Sequence, residues 1–366
     1  MNHYNLHELI TRYENSYDFI NNSVNDEKFK WDAVRGFRDV WFSDSASSIP
    51  FAQLFDAAAK RSSVLINNRV MSPTTGIVKM AEQRPAEMER LFREVLFADF
   101  DTIRQLQDHM DGFLDQIELI RQELFPRFYR YKQDRHAASC YLSFFAPETH
   151  FIYRYNEAEE FAKYVEYGKD LGSGANFKLE YYYELAQIIV DAFKEHPGLI
   201  EKHDTLFQNN DQYYYDKSLH LMAFDLMYCC RCYYFYTGLS HAKKKDSIKA
   251  YTAQQLKEKE EAERLQRIAE IEAEIHSLEV QMDQFEEISL LGVEVTQKNY
   301  GDGTVIAQEG SRITVRFPTK TTVFVINKQH SMRPRFENDE DIVEAFTEFD
   351  RLKKQKEKLE EELGKI

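Results

Sequence analysis

Two runs of heptad-spaced apolar residues enclose a segment through which no single helix can continue. In the first run Ile268, Ile271, Ile275, Leu278, Met282 and Phe285 alternate spacings of three and four. In the second, Ile342, Ala345, Phe349, Leu352, Leu359, Leu363 and Ile366 keep the same frame, broken by Lys356. Such spacing gives each helix one apolar seam that must face a partner. Thr252 with Gln255 forms a capping-box pattern for the first helix, and Asn338 suits the cap of the second. Between them, 291–336 changes period. Val293 and Val295, then Gly301-Asp302-Gly303, then Val305 and Ile306 predict strand, turn, strand. Gly310 supplies another turn, Ile313, Val315 and Phe317 alternate, and Val323 and Val325 form a further period-2 pair. Four or five short strands in this span fit a small barrel, which closes its own edges. An antiparallel coiled-coil hairpin carrying a barrel at its tip satisfies both periods; a dimeric coiled coil is the alternative.

Charge divides at the same boundaries. The chain has 366 residues and a net charge of −15. Residues 253–287 hold 4 Lys/Arg and 11 Asp/Glu, whereas 291–336 hold 7 and 3, a net of −7 beside a net of +4. A basic module on an acidic stalk suits an anionic partner, although the global balance is not that of a typical nucleic-acid binder. Apolar content of 43%, with 22 Tyr and 27 Phe, is enough for a real core and excludes wholesale disorder. The four cysteines, Cys140, Cys229, Cys230 and Cys232, lack disulfide-framework spacing. No signal-like N-terminus or membrane-spanning window is present, so a cytoplasmic protein with reduced thiols is expected.

Residues 1–240 form the expected first domain, joined by a basic, aperiodic linker at 241–251 to a helix over 252–290, the barrel over 291–336 and a returning helix over 338–366. The first domain is mainly helical in pattern. Trp31, Val34, Phe37 and Trp41 share one face; Phe51, Leu54, Phe55 and Ala58 share another behind Pro50 as a first-turn proline. The breakers of 72–76 predict a loop, and Pro85 opens a helix carrying Met88, Leu91, Phe92 and Val95. Asp101 is placed to cap a longer helix through Leu106, Met110, Phe113, Ile117 and Ile120. The aromatic, β-prone runs 139–145 and 150–155, joined by Pro147-Glu148-Thr149, predict a β-hairpin.

Signs of catalysis are sparse. Nothing matches a phosphate-binding loop of the Walker A kind; Gly172-Ser173-Gly174 lacks the lysine. Cys229, Cys230 and Cys232 are too crowded for a zinc site, and only Cys140 and His220 offer to complete one; buried small hydrophobes are the simpler account. His150 near Glu148 is explained by a turn. No cofactor, metal or catalytic residue is assigned. Two stretches carry binding chemistry. In 127–135, Arg127, Tyr129, Arg130, Tyr131, Lys132 and Arg135 interleave cations and rings, as a surface that neutralises phosphates and stacks bases would; an amphipathic segment with its rings in the core gives the same pattern. In the insert, Lys298, Tyr300, Arg312, Arg316 and Lys320 are the candidates, with Arg312 and Arg316 facing outward opposite Ile313, Val315 and Phe317. Tyr213-Tyr214-Tyr215 suits a core cap.

Two resemblances extend this picture. The pattern of Gly292, Lys298, Tyr300, Gly301, Gly303 and Val305, followed by Ile313-Thr314-Val315-Arg316-Phe317, resembles small SH3/Tudor-like barrels of bacterial proteins, including tails of some DNA helicases. That resemblance implies docking of nucleic acid or of a protein such as RNA polymerase. Residues 31–65, the run 84–92, the stretch 138–155 and the run 218–228 together resemble the regions that precede the motor domain in McrB-type restriction ATPases/GTPases. This second resemblance implies sensing of modified or foreign DNA, or assembly of a complex, with no motor and no Walker A in this chain. The expected fold is therefore mainly α with a β-hairpin in the N-terminal domain, followed by the coiled-coil hairpin and barrel. The expected function is a non-catalytic prokaryotic adaptor or sensor for DNA, RNA or a nucleic-acid-processing complex, in antiviral defence or restriction. A protein partner and homo-oligomerisation are also expected, and no membrane. A protein-only scaffold, oligomeric through its heptads, and an enzyme acting on nucleic acid through a site dispersed in sequence are the alternatives.

Overall fold

A computed structural model describes residues 1–67, 70–283, 289–310, 312–325, 333–334 and 339–366. The protein is mainly helical with a small antiparallel sheet near its C-terminus. It divides into two compact units, Met1–Ala253 and Gln254–Ile366.

The first unit is built from α1 (His3–Ile20), α2 (Phe29–Trp41), α3 (Phe51–Ala59), α4 (Ser63–Ile66), α5 (Pro73–Gln83), α6 (Pro85–Arg90), α7 (Ile103–Leu124), α8 (Arg135–Phe145), α9 (Tyr155–Tyr164), α10 (Leu179–Phe193), α11 (Pro197–Phe207) and α12 (His220–Cys232). The expected faces are the buried ones: Trp31, Val34, Phe37 and Trp41 on α2, Phe51, Leu54, Phe55 and Ala58 on α3, and Leu106, Met110, Phe113, Ile117 and Ile120 on α7. Phe92, in a π-helical turn after α6, is the hub of the core. The rings of Phe51, Phe55, Phe97, Phe113 and Tyr141 surround it with centroids 5.0–5.6 Å away. A ring so enclosed contributes about 3 kcal/mol by burial alone. Tyr214 and Tyr215 pack half-buried over the core, Tyr214 donating its N–H to the Trp31 carbonyl.

Several local expectations are overturned. The β-hairpin is absent: 135–145 is helix α8, started by Asp134, whose carboxylate accepts the Ala137 N–H at 2.9 Å. This helix is buried almost all round, so its sequence carries no one-sided period. Its expected partner, 150–154, is extended but pairs with no strand. Side chains satisfy its backbone instead: Ser139 Oγ accepts the Tyr153 N–H at 2.9 Å, and the Tyr182 hydroxyl donates to the Ile152 carbonyl. The breakers of 72–76 do not make a loop. Pro73 is the first residue of α5, and Gly76 lies inside that helix. A Cβ on Gly76 would meet the Tyr131 carbonyl oxygen at 2.7 Å, so the glycine permits a close crossing of two backbones. Thr102, not Asp101, caps α7, through a capping box with Gln105. Pro50 sits one position before α3.

The second unit holds most of α13 (Lys244–Asp283), the strands β1 (Glu294–Gln297), β2 (Gly301–Glu309), β3 (Arg312–Arg316), β4 (Thr321–Val325) and β5 (Arg333–Pro334), and α14 (Asp339–Leu363). The basic stretch expected to be a linker is already helical from Lys244. It contains no Gly or Pro to stop a helix, so Thr252 lies in the helix interior and donates back to the Ile248 carbonyl at 2.9 Å instead of capping. The expected cap Asn338 and the seam residue Phe285 lie outside the described residues. On the heptad faces Ile271 and Leu352 are buried. Arg267 pairs with Glu362 and Glu279 with Lys356, both at 2.6 Å, so the residue that breaks the heptad is used in an ion pair.

The sheet is antiparallel in the order β4-β3-β2-β1-β5. Its core is Leu290, Val295, Val305, Ile313, Val315 and Phe317. Gly301-Asp302-Gly303 is not the turn; it opens β2, with Gly303 opposite Val295. Gly303 is needed there because a Cβ would meet the Phe317 ring at 2.6 Å. An irregularity between Val305 and Ala307 shifts the register and leaves Ile306 on the exposed side.

Candidate nucleic-acid interface

The first unit carries an open cleft of about 560 Å³. Its walls are the end of α4, the approach to α5, the starts of α8 and α9, and the glycine-containing loop 173–177. Three helix N-termini meet it, at Pro73, Asp134 and Arg154. The first two are occupied by side chains, Asn67 accepting the Thr74 N–H and the Asp134 carboxylate accepting the Ala137 N–H; α9 alone has no side-chain cap and so presents free backbone N–H groups. Of the candidates in 127–135, Lys132 and Arg135 line the cleft and Arg127, Tyr129, Arg130 and Tyr131 do not. Arg130 is tied to the Val70 carbonyl at 2.9 Å, Tyr131 lies against Gly76 and stacks on Phe128, and Arg127 and Tyr129 are exposed. The segment contains a turn of 3-10 helix docked on α5, with no ring of that turn buried.

The cleft's cations differ in how firmly they are held. Arg135 bonds Asp111 at 2.8 Å and the Gly174 carbonyl at 2.7 Å, and its guanidinium lies 5.2 Å from the Phe177 ring centre. Arg154 has a looser approach to Glu157, at 3.6 Å. Lys132 is exposed and its ammonium has no ion-pair partner among the described residues. Sequence reasoning missed Arg154, Tyr155 and Asn156 as lining residues, because the hairpin expected there gave them no shared site. Loop 171–178 closes on itself: Gly172 takes φ +70, and a Cβ there would meet the Asn176 carbonyl oxygen at 2.0 Å. Gly174 turns its carbonyl, not its N–H, toward Arg135, which is the reverse of a phosphate-cradling loop.

Among the described residues of this cleft, the one Cys–His contact does not prepare a nucleophile. His136 and Cys140 are neighbours, with Sγ 3.8 Å from Nδ1, but Cys140 is buried and burial pushes its thiol well above the usual range. A thiol held protonated is inert. His136 instead joins two backbone carbonyls, Tyr153 at 2.9 Å and Leu65 at 3.2 Å. His150 is buried against the Tyr183 hydroxyl, and burial lowers its pKa to about 4.

The cysteine cluster does not assemble a metal site. Cys229 and Cys230 are buried and Cys232 is exposed, while His220 bonds the Pro147 carbonyl. Among the described residues one group has three ligand atoms close together: Glu27, Asp225 and Cys229. A cation already sits there. The Lys30 ammonium, fully buried, pairs with Glu27 and with Asp225 Oδ1 at 2.6 Å, and Tyr13 donates to Asp225 Oδ2 at 2.6 Å. Burial alone would lower the Lys30 pKa, but the carboxylates of Asp225 and Glu27 raise it, so the ammonium stays charged.

In the sheet, Lys298 lies in the turn between β1 and β2, and Lys320 places its ammonium 3.7 Å from the centre of the Tyr300 ring. Arg312 and Arg316 are exposed at the two ends of β3, opposite the buried Ile313 and Val315. Between them on the outer face are Thr314 and its neighbour Val323, which is 60% exposed, whereas Phe324 turns inward against Phe317. Comparison with known proteins finds no matching family model, no matching curated protein and no matching solved structure. No helix among the described residues is long and apolar enough to cross a membrane.

Proposed function

We propose that the protein is a non-catalytic adaptor that binds nucleic acid through the cleft of its N-terminal unit and presents a second basic surface on its C-terminal sheet. The observation that carries this is the gathering of Lys132, Arg135 and Arg154 around one cleft, beside the N-terminus of α9, in a chain whose net charge is −15. Cations gathered against that background are a local anion site. The C-terminal unit is read as an SH3/Tudor-like barrel on an antiparallel coiled-coil hairpin. The ion pairs 267–362 and 279–356 support the antiparallel sense, and β1 lying between β2 and β5 supports the barrel. The McrB-type resemblance suggests such an adaptor in restriction or antiviral defence, as a sensor without a motor.

The test is fluorescence anisotropy of the full chain with labelled DNA and RNA at several salt concentrations. Affinity driven by phosphate contacts falls steeply as salt rises. Absence of binding at low salt refutes the proposal. The exposed apolar pair Val323 and Ile306, beside Arg312 and Arg316, favours a second reading in which the sheet docks a protein with an acidic rim. Light scattering and pull-downs with the Val323→Asp variant examine it; unchanged recovery of partners counts against the sheet as the docking face.

A further inference from the structure

We infer that the cleft is one end of a groove that takes a single strand of nucleic acid, with Tyr155 and Tyr234 as its stacking platforms. The inference rests on the nucleic-acid reading and narrows it to one form of the ligand. Three cavities of the N-terminal unit adjoin. The cleft of about 560 Å³ shares Asn156 with a second cavity of about 510 Å³, and this shares Glu160 and Arg231 with a third of about 540 Å³. The linkage is physical: α9 packs on α12, and Arg231 of α12 bonds Glu157 at 3.2 Å and Glu160 at 3.3 Å on α9.

Along this path the lining holds seven Lys/Arg (residues 132, 135, 154, 163, 231, 243 and 244) and three Asp/Glu (134, 159 and 160), a net of +4 that falls to +1 once the carboxylates paired with these cations, Asp111, Glu157 and Asp170, are included. Lys132, Lys163 and Lys243 are exposed, and none has an ion-pair partner among the described residues. Arg135, Arg231 and Lys244 are instead held in place by carboxylates, Lys244 by Glu159 at 3.0 Å and Asp170 at 2.7 Å. The lining thus combines cations held by carboxylates with three that have no ion-pair partner among the described residues and are open to phosphates.

Exposed rings mark the first and third cavities. Tyr155 is 46% exposed and Tyr234 is 78% exposed. Tyr234 also holds φ at +59, a left-handed backbone that a bulky side chain adopts only at a cost. A glycine there would relieve the strain, so the local backbone gives no reason for a tyrosine. A base stacking on the ring does. Bases are free to stack on protein rings only where they are not already stacked in a helix. Stacking on the two exposed rings therefore selects a single strand over a duplex.

The experiment uses the full chain and three labelled probes of one mixed sequence: single-stranded DNA, single-stranded RNA and the DNA duplex. Either single strand is expected to bind at least about 10-fold more tightly than the duplex, and the two single-strand arms distinguish DNA from RNA. Tyr155→Ala and Tyr234→Gly are each expected to weaken single-strand binding about 5-fold or more without changing its salt dependence. Tyr234→Gly should do so while leaving the melting temperature unchanged or raised, which separates lost stacking from lost folding. Lys163→Ala and Lys243→Ala should each reduce the salt slope by about 0.7. Equal binding of duplex and single strand overturns the groove but leaves the nucleic-acid reading standing. No binding of any probe at low salt overturns both, and competition by polyglutamate as effective as by single-stranded DNA replaces the strand with an acidic protein.

Discussion

The two units of this chain bury different chemistry. The N-terminal unit encloses an aromatic core around Phe92 and, within the same interior, a lysine paired with two carboxylates. The sheet of the C-terminal unit closes over six apolar residues and no buried ion pair among those described. A large core can hold a charge because many surrounding contacts offset its desolvation; a core of six side chains has no such reserve. The difference extends to the surface, where Arg135, Arg231 and Lys244 of the N-terminal unit are fixed by acids while Arg312 and Arg316 stand exposed on a strand.

The largest expected effect follows from breaking the buried pair. Asp225→Ala leaves Lys30 with Glu27 alone and removes the acceptor of Tyr13, and should cost about 3–5 kcal/mol of N-terminal stability. Hydrogen exchange then checks the comparison: protection should fall in α1, α2 and α12 and stay unchanged in β2 and β3. Equal loss in the strands would show that the units do not unfold separately.

Acid should act on the same unit. His150 and His203 are buried, and burial lowers each pKa to about 4. A depressed histidine pKa means that the neutral form is favoured by folding. Its contribution is complete above the unfolded value of 6.5 and is lost as pH falls towards 4, with a ceiling of about 3 kcal/mol for each. Asp216 opposes this: burial raises its pKa to about 6, so its contribution is complete below 3.8 and lost as pH rises through 6. Two histidines outweigh one aspartate, so melting temperature should decrease from about pH 7 to about pH 4.5. In a His203→Gln variant that decrease should be shallower; an identical slope would remove His203 from the account.

Smaller effects are expected in the second unit. Gly303→Ala forces a methyl group against Phe317 and Val315 and should cost about 1–3 kcal/mol, visible as lost exchange protection in β2 without change in α7. Smallest of all is Arg267→Ala. It removes an exposed pair with Glu362, and the melting curve should not shift measurably.

How much of this was legible beforehand depended on whether an element buries one face or several. The spacing of Leu106, Met110, Phe113, Ile117 and Ile120 predicted α7 because its other side meets water. The alternation of Ile313, Val315 and Phe317 predicted β3 for the same reason. In α8 the residues from Ala137 to Phe144 are all buried, no period survives, and the aromatic content suggested a strand. The segment 150–154 misled in the opposite way: it is extended, but side chains of α8 and α10 take the place of a partner strand. The candidate groove was the least legible part. Lys132 and Arg135 stood out in a run of cations and rings, whereas Asn156, Arg231 and Tyr234 carry no local mark and meet only through the packing of α9 on α12.

The sequence by itself determined the alternation of helical and strand periods, the faces that enter the core wherever only one face does, and the charge contrast between residues 253–287 and 291–336. Tertiary structure decided the rest: which apolar run became α8, why Gly76 sits inside a helix, how Lys30 became buried between Glu27 and Asp225, and which distant cations line adjoining cavities. Local patterns record only the boundary between protein and water along one element. Where an element is enclosed on every side, or a site is assembled from several elements, that boundary is drawn by packing alone.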